Sequence, residues 1–328
     1  MKKAFSLLAV LIFLLSLGFF YKIFVQDYEE EAIYPSSVTL IIPPKMSAKA
    51  IGILLEKEGV IPSGKIFYWS VRLRGFGNQL RSGEYRFPEL RSLESVIEKL
   101  CRGDIVYHRL TLAEGLTSRE IKLLLQAEEK LQGDVADTIL EGSLLPETYT
   151  FFRGESRQNI ISQMQIALRK TLSELWERYK DKTPLRSKEE VVILASIVEK
   201  ETALEKERPH IAAVFLNRLK KDMPLQTDPT VIYAFEHIDR KPFDRTLTRD
   251  DLKVDSPYNT YLIRGLPPTP ICHPGKASLE AVLNPLISED LFFVADGTGG
   301  HVFSKTYKEH SQNHSQWRKI RKKKLHLP

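Results

Sequence analysis

The segment Val191-Val-Ile-Leu-Ala-Ser-Ile-Val198 constrains the fold more than any other stretch. At helical spacing it is apolar on nearly every face, interrupted only by Ser196. A helix without a polar face has to be enclosed, so the rest of the chain must pack around it. Ser187 and Glu190 have capping-box spacing and open this helix. Its surroundings read as helix-rich from about Val135 onward. One helix is expected from Ser156 to Tyr179, and another carries Ile211, Ala212, Val214, Phe215 and Leu219. Asp228-Pro229 reads as an N-cap followed by proline at the first helical position. Leu291 to Ala295 is a strand, Gly297 to Gly300 a turn into Val302 and Phe303, and a polar helix ends in Arg318 to Lys324.

The region before Val135 has a different pattern. Val38 to Ile42 is a strand ended by Pro43-Pro44. Ser47 caps a helix with Ile51, Leu54 and Leu55 inward, stopped at Gly59. Ser63 caps a second helix through Tyr68 and Val71, and Gly83 to Phe87 is a returning strand. Ser92 caps a helix with Val96, Ile97 and Leu100; Tyr107 to Leu112 is a strand; Thr117 caps a helix with Ile121, Leu124 and Leu125 on one face. Leu110 to Leu125 echoes Leu40 to Leu55 as a short repeat.

Compartment follows from the first residues. Lys2 and Lys3 precede an apolar run from Ala4 to Tyr21, extended by Ile23 to Val25 beyond Lys22. That is about enough helix to cross roughly 30 Å of hydrocarbon. No small-x-small cleavage site or lipobox cysteine follows, so the expectation is a retained anchor. Lysines before it and Asp27, Glu29, Glu30 and Glu31 after it put the N-terminus in the cytoplasm and the remainder outside. The expected location is the inner (cytoplasmic) membrane, single-pass, with the main folded part periplasmic or extracytoplasmic. The expected organisation is an anchor over 1–26, a linker over 27–37, an α/β region over 38–112 and a larger domain over 113–328. The fold class is α+β: N-terminal transmembrane helix, βααβ subdomain, helix-rich α+β domain.

A net charge of +6 over 328 residues, 42% of them hydrophobic, excludes a disordered chain and leaves an anionic partner open. In a cytosolic protein the C-terminal Lys/Arg run would suggest nucleic acid; outside the membrane it reads as a solvated tail, and no nucleic-acid partner is expected. The two cysteines, Cys101 and Cys272, match no metal spacing and read as free thiols. His310 and His314 stand four apart but lack a third ligand and a zincin pattern, and no phosphate loop or dinucleotide fingerprint occurs. No metal and no cofactor are expected. His301 reads as a structural hydrogen-bonding residue.

The chemistry concentrates in Ala195-Ser-Ile-Val-Glu-Lys-Glu-Thr202. Glu199 ends the apolar helix, where desolvation favours a neutral carboxyl. A protonated acid is what glycosidic cleavage needs, because the leaving oxygen must receive a proton. Ser196 and Thr202 lie three residues either side, where their hydroxyls would orient it. Glu201 points to the opposite side. The plainer alternative is that Glu199 and Glu201 are both solvated carboxylates at a helix end. Gln226, Thr227 and Asp228 form a polar loop suited to sugar hydroxyls, although Asp228 also fits a plain cap. Tyr258, Asn259 and Tyr261 stand in a Pro/Gly-rich loop, where flat rings suit sugar faces and an amide suits hydroxyls or N-acetyl groups.

These pieces, in this order, resemble the YceG-like family of endolytic murein transglycosylases. The resemblance is carried by Glu141-Gly142 with Pro146-Glu-Thr-Tyr149, the Glu199 segment, Asn217-Arg-Leu219, Leu225-Gln-Thr-Asp-Pro-Thr-Val-Ile-Tyr233, Tyr258-Asn-Thr-Tyr261, Gly265-Leu-Pro-Pro268, Pro274-Gly275, Phe293-Val-Ala-Asp-Gly297 and Gly300-His301. It implies that the βααβ unit is LysM-like and that Glu199 is catalytic. Glu199 would protonate the oxygen between N-acetylmuramic acid and N-acetylglucosamine, then deprotonate the muramyl 6-hydroxyl to close a 1,6-anhydro ring. It further implies glycan strands of peptidoglycan as substrate, penicillin-binding-protein type synthases as partners, and cutting of nascent strands that ends their elongation. Two rivals stand beside it. One is a non-catalytic peptidoglycan-binding scaffold for those synthases. The other is an ordinary hydrolase with Glu201, Glu207 or Asp228 as second carboxylate.

Overall fold

A computed structural model of the chain describes residues 11–18, 21–22, 27–135, 138–239 and 241–325. The described residues up to Arg109, with Thr150–Glu155, form one compact unit; Leu110–Tyr149 and the described residues from Ser156 onward form a second.

The first unit holds β1 (Ala32–Ile33), β2 (Val38–Ile42), α1 (Ala48–Lys57), α2 (Gly64–Leu73), β3 (Gly83–Phe87), β4 (Leu90–Arg91) and α3 (Leu93–Arg102). β2 and β3 pair antiparallel, Val38 opposite Phe87 and Ile42 opposite Gly83, so the strand-helix-helix-strand order expected from sequence is present. The serine caps form as read: Ser47 accepts from the Ala50 N–H and Ser63 from the Ile66 N–H, while Ser92 and Ser95 cap reciprocally. Gly52 and Gly64 let α1 and α2 touch backbone to backbone; a methyl on Gly52 would stand 2.6 Å from the Gly64 carbonyl oxygen. The core joins Ile51, Leu55, Phe67, Val71, Tyr85, Phe87, Ile97 and Leu100. Beside it Arg91 is buried, and its guanidinium donates to the carbonyls of Gly59 and Val60 at 2.9 Å each and to that of Pro88.

Strands β5 (Tyr107–Thr111) and β6 (Thr148–Phe152) pair with each other. The second unit continues with α4 (Ser118–Ala127), α5 (Arg157–Tyr179), α6 (Lys188–Glu201), α7 (Arg208–Lys220), α8 (Asp228–Asp239), α9 (Lys276–Leu283), the hairpin β7 (Phe292–Ala295) and β8 (His301–Ser304), and α10 (Tyr307–Leu325). As its all-round apolarity requires, α6 is sheathed: Val191, Leu194, Ile197 and Val198 pack with Leu172 and Leu175 of α5, Ile211 and Phe215 of α7, Ala234 of α8, and Leu279 and Val282 of α9. Only half of its expected capping box forms. Ser187 Oγ accepts from the Glu190 N–H, but the Glu190 carboxylate accepts from the Arg186 N–H. A complete box forms instead at Thr117 and Glu120.

The anchor expected over 1–26 falls largely outside the described residues. Residues 11–18 are helical, with Leu11, Ile12, Phe13, Leu14, Leu15 and Leu17 exposed. Among the described residues no helix is long and apolar enough to cross a membrane. Cys101 and Cys272 are both free thiols.

Candidate active site

Glu199 lies in the last turn of α6, and its side chain is only 5% exposed. Its Oε1 accepts from Arg208 Nη2 at 2.9 Å, and its Oε2 accepts from the Gly275 backbone N–H at 2.9 Å. The desolvation expected from sequence is therefore joined by a cation and a backbone donor. Ser196 and Thr202 do not orient it. Ser196 Oγ donates to the Ile193 carbonyl and accepts from the Ile271 N–H, and Thr202 Oγ1 accepts from the Leu204 N–H. Both hydroxyls are used locally to tie down backbone.

Arg208 is the first residue of α7, followed directly by Pro209, and it is buried. The same Nη2 atom also lies 3.2 Å from Glu114 Oε2. Arg208 Nε is buried with no hydrogen-bond partner, so the two carboxylates account for the contacts that hold this guanidinium. Glu114 sits in the turn between β5 and α4. That turn is pinned to the loop carrying Gly275 by two backbone bonds, Gly115 N–H to the His273 carbonyl at 2.9 Å and His273 N–H to the Leu116 carbonyl at 2.8 Å. His273 itself is fully buried. Its Nδ1 accepts from the Leu144 N–H at 3.2 Å, which leaves Nε2 to donate to Ser118 Oγ at 3.0 Å. Burial pushes this imidazole down to about 4, so it is neutral, and the Glu141 carboxyl 3.7 Å away is not an ion-pair partner. Burial pushes Glu141 up to about 7.

Glu201 leaves the same helix end in another direction and is half-buried rather than solvated. Thr227 Oγ1 donates to its Oε1. Burial is the main cause that pushes this carboxyl up to about 7, opposed by the Thr227 hydrogen bond and reinforced by the charge of Asp228. Around it gather three residues that the sequence marked for sugar binding. Thr227 is buried; Asp228, the first residue of α8, accepts from Tyr261 Oη at 2.6 Å; and Tyr261 is half-buried with its phenol pushed up by burial and by that bond. Gln226 is exposed in a left-handed backbone conformation (φ 51°), its N–H donating to the Thr260 carbonyl. Asn259 is fully buried, and its Nδ2 donates to the carbonyls of Leu252 and Val254 at 3.0 and 2.8 Å. The amide expected to meet sugar thus clamps its own loop. Tyr258 donates or accepts at Thr269 Oγ1 at 2.8 Å and packs its ring edge-on against Tyr233.

Tyr258 also lines a cavity of about 1000 Å³, with Glu141, Val192, Glu236 and Pro270. Glu199, Glu114 and Arg208 are not among its lining residues. Val192 stands two helical turns before Glu199, about 10 Å along the axis, so this cavity is not the place of the candidate acid. His301 has the structural task expected of it, Nδ1 meeting Glu207 Oε2 at 2.8 Å. His310 stacks on Phe292, and among the described residues no group of side chains could hold a metal ion.

Sequence reading missed Glu114 and Arg208. Glu114-Gly115 stood at a strand-to-helix turn, and Arg208 before a helix-starting proline; nothing in their spacing tied either to Glu199. Only Gly275, inside one of the matching pieces, had been marked.

The model of the YceG-like family matches residues 40–316. An endolytic murein transglycosylase of Bacillus subtilis is 34% identical over 308 residues, covering 84% of each chain. One of Streptococcus pneumoniae is 30% identical over 325 residues, covering 84% of this chain, which spans 57% of that longer relative. The crystal structure of a YceG-like protein from Listeria monocytogenes superposes with a TM-score of 0.50 at 32% identity, covering 84% of this chain and 98% of that one. With matching over most of its length and the marked motifs inside the matched region, the chain belongs to the YceG-like family.

Proposed function

We propose that this protein is an endolytic murein transglycosylase that cleaves peptidoglycan glycan strands, with Glu199 as its acid and base. The observation that carries the assignment is the setting of Glu199: a carboxyl at the end of a sheathed apolar helix, gripped on one oxygen by Arg208 and on the other by a backbone N–H, in a chain of this family. In the first step the bond between muramyl C1 and the bridging oxygen breaks. Its electron pair goes to that oxygen, which takes the Glu199 proton. In the second step the muramyl 6-hydroxyl oxygen bonds to C1 and gives its proton to the Glu199 carboxylate. A 1,6-anhydro end forms, no water is consumed, and the carboxyl returns to its starting state. One carboxyl serves both steps because the substrate supplies the nucleophile. An oxocarbenium-like state between the steps gains from nearby negative charge.

Under this reading the apolar N-terminal run is a single-pass anchor in the cytoplasmic membrane, with the catalytic unit outside. Its support is the exposed apolar helical stretch over 11–18 and the flanking lysines. The βααβ unit is a LysM-like glycan-holding module, and the substrate is the nascent strand leaving a penicillin-binding-protein type synthase, whose elongation the cut ends. Gln226, Asp228 and Tyr261 offer polar groups to sugar at the surface. A non-catalytic scaffold would leave the buried Arg208–Glu199 pair without a task.

The test is Glu199→Gln. Anhydro-ended products from purified glycan strands, read by mass spectrometry, are expected to fall by at least about 10²–10⁴-fold. The amide still accepts one hydrogen bond, so the thermal melt should stay cooperative. Near-normal release of anhydro ends by this variant, or wild-type products with reducing ends, would overturn the assignment.

A further inference from the structure

Glu114 stands where a second carboxylate matters. A single Arg208 nitrogen, Nη2, serves both acids, at 2.9 Å from Glu199 Oε1 and 3.2 Å from Glu114 Oε2. The loop beneath is shaped for both. Gly275 gives its N–H to Glu199 Oε2, and a methyl on its Cα would come within 1.8 Å of Glu114 Oε1. A side chain at residue 275 would push the Glu114 carboxyl from the place where it shares Arg208. The two acids differ in access: the side chain of Glu114 is 40% exposed, against 5% for Glu199. Burial and the charge of Glu199 hold the Glu114 carboxyl above its ordinary value, against the charge and hydrogen bond of Arg208, which pull it down.

The charges require a division of labour. One guanidinium facing one carboxylate forms a matched pair, and that carboxylate then has little reason to take up a proton. The reaction proposed above needs Glu199 to start protonated. A second carboxylate on the same guanidinium supplies the matching charge. With Glu114 as the counter-charge of Arg208, a proton on Glu199 leaves the cluster neutral. When the leaving oxygen has taken the Glu199 proton, the guanidinium is already in place to meet the new charge, and no group has to move far.

We propose that Glu114 is a positioning residue for the reaction at Glu199: by sharing Arg208 Nη2 it matches the guanidinium charge and lets Glu199 carry the proton that the leaving oxygen needs. This rests on Glu199 being the reactive acid. The other charged or titratable groups facing the pair are Lys200, whose Nζ donates to the Gly115 carbonyl at 3.3 Å, Glu205, whose charge reaches Glu114, and the Cys272 thiol, which feels Glu199 and Lys200. None of them hydrogen-bonds Arg208 in place of Glu114.

The experiment is a pH–rate profile for release of anhydro ends from purified glycan strands by the full chain, comparing wild type, Glu114→Gln, Glu114→Asp and Glu199→Gln. Removing one negative charge at this distance should displace the alkaline limb to lower pH by about one to three pH units. The rate of Glu114→Gln near pH 7 should fall by about tenfold or more and recover toward wild type on the acid side. Glu114→Asp, which keeps the charge, should keep the limb close to its wild-type position. A part in packing alone would lower the rate at every pH and leave the limb in place, and that result in Glu114→Gln overturns the proposal. If Glu199→Gln is inactive while the Glu114→Gln limb has not moved, only the role of Glu114 falls. If Glu199→Gln stays active, the parent assignment falls and takes this one with it.

Discussion

Two carboxylates two residues apart in one helix end up in opposite chemical settings. Glu199 has a guanidinium on one oxygen and a backbone N–H on the other; Glu201 has a neutral threonine hydroxyl and an aspartate close by. At 100° per residue the two side chains leave the helix about 200° apart, so each meets a different set of neighbours. Burial is common to both and does not tell them apart. The partner does: Glu199 meets a guanidinium shared with Glu114 and a backbone donor, whereas a hydroxyl beside another acid leaves the neutral form of Glu201 favoured. Burial accounts for the raised proton affinity at Glu201, an acid enclosed with no cation hydrogen-bonded to it, His301 and Arg218 acting only through space.

The largest effect expected from this contrast is at Arg208. Arg208→Ala leaves Glu199 and Glu114 without the guanidinium they share and should cost up to about 3–5 kcal/mol in a urea unfolding series, less to the extent that Glu114 keeps contact with water. A midpoint that barely moves would erase the distinction between the two sides.

At Glu201 the effect should depend on pH, with a defined sign. Burial pushes its carboxyl up to about 7 when folded, above the ordinary 4.5 of a glutamate, so the folded protein binds the extra proton. The stability linked to this group is fully present below about pH 4.5, declines as pH rises through about 7, and is constant above that. Glu201→Gln removes this dependence. Relative to wild type it should gain stability toward pH 8, by at most about 3 kcal/mol and less to the extent that the side chain keeps some surface. Glu141, also held near 7, and His273, held near 4, contribute their own slopes to both proteins. The difference between wild type and variant therefore isolates Glu201. A difference that does not change between pH 4 and pH 8 would put Glu201 in contact with water.

Thr227→Val removes the one hydroxyl on that carboxyl and should cost about 1–2 kcal/mol, with the loss shrinking when Glu201→Gln is already present. Independent, additive losses would show that the two side chains do not interact. The smallest effect belongs to Tyr261→Phe, which deletes an exposed hydrogen bond to Asp228 and should cost under about 1 kcal/mol. If it lowers glycan cleavage more than about tenfold while the melt stays put, the Glu201 side also reaches substrate, and the two settings are parts of one cleft.

Much of this architecture could be read from residue order, because its determinants are local. Ser47, Ser63, Ser92, Thr117, Ser156 and Ser187 all cap the helices they were expected to open, since a cap needs only a hydroxyl at one end of a periodic run. The strand-helix-helix-strand order followed from period and turn residues. Reading failed where a side chain had a choice of partners. Helical spacing points Ser196 at Glu199, yet it bonds the Ile193 carbonyl one turn back and the Ile271 N–H from a distant loop. Residue type suits Asn259 to sugar, yet it donates both amide protons to carbonyls of its own loop.

The sequence by itself determined that an apolar helix must be sheathed and must end in an acidic segment, because hydrophobic periodicity and the polarity of Glu199, Lys200 and Glu201 are properties of consecutive residues. It also determined the family, through motifs spread along the chain. Only the tertiary structure decided which acid meets a cation. Arg208 arrives from the next helix, Glu114 from a turn 85 residues upstream of Glu199, and Gly275 from a loop 76 residues downstream. No periodicity links such distant positions. Their meeting depends on the packing of α6 against α7 and α9 and on the backbone bonds that pin the Glu114 turn to the Gly275 loop, and it is at that meeting that the chemistry of the site is set.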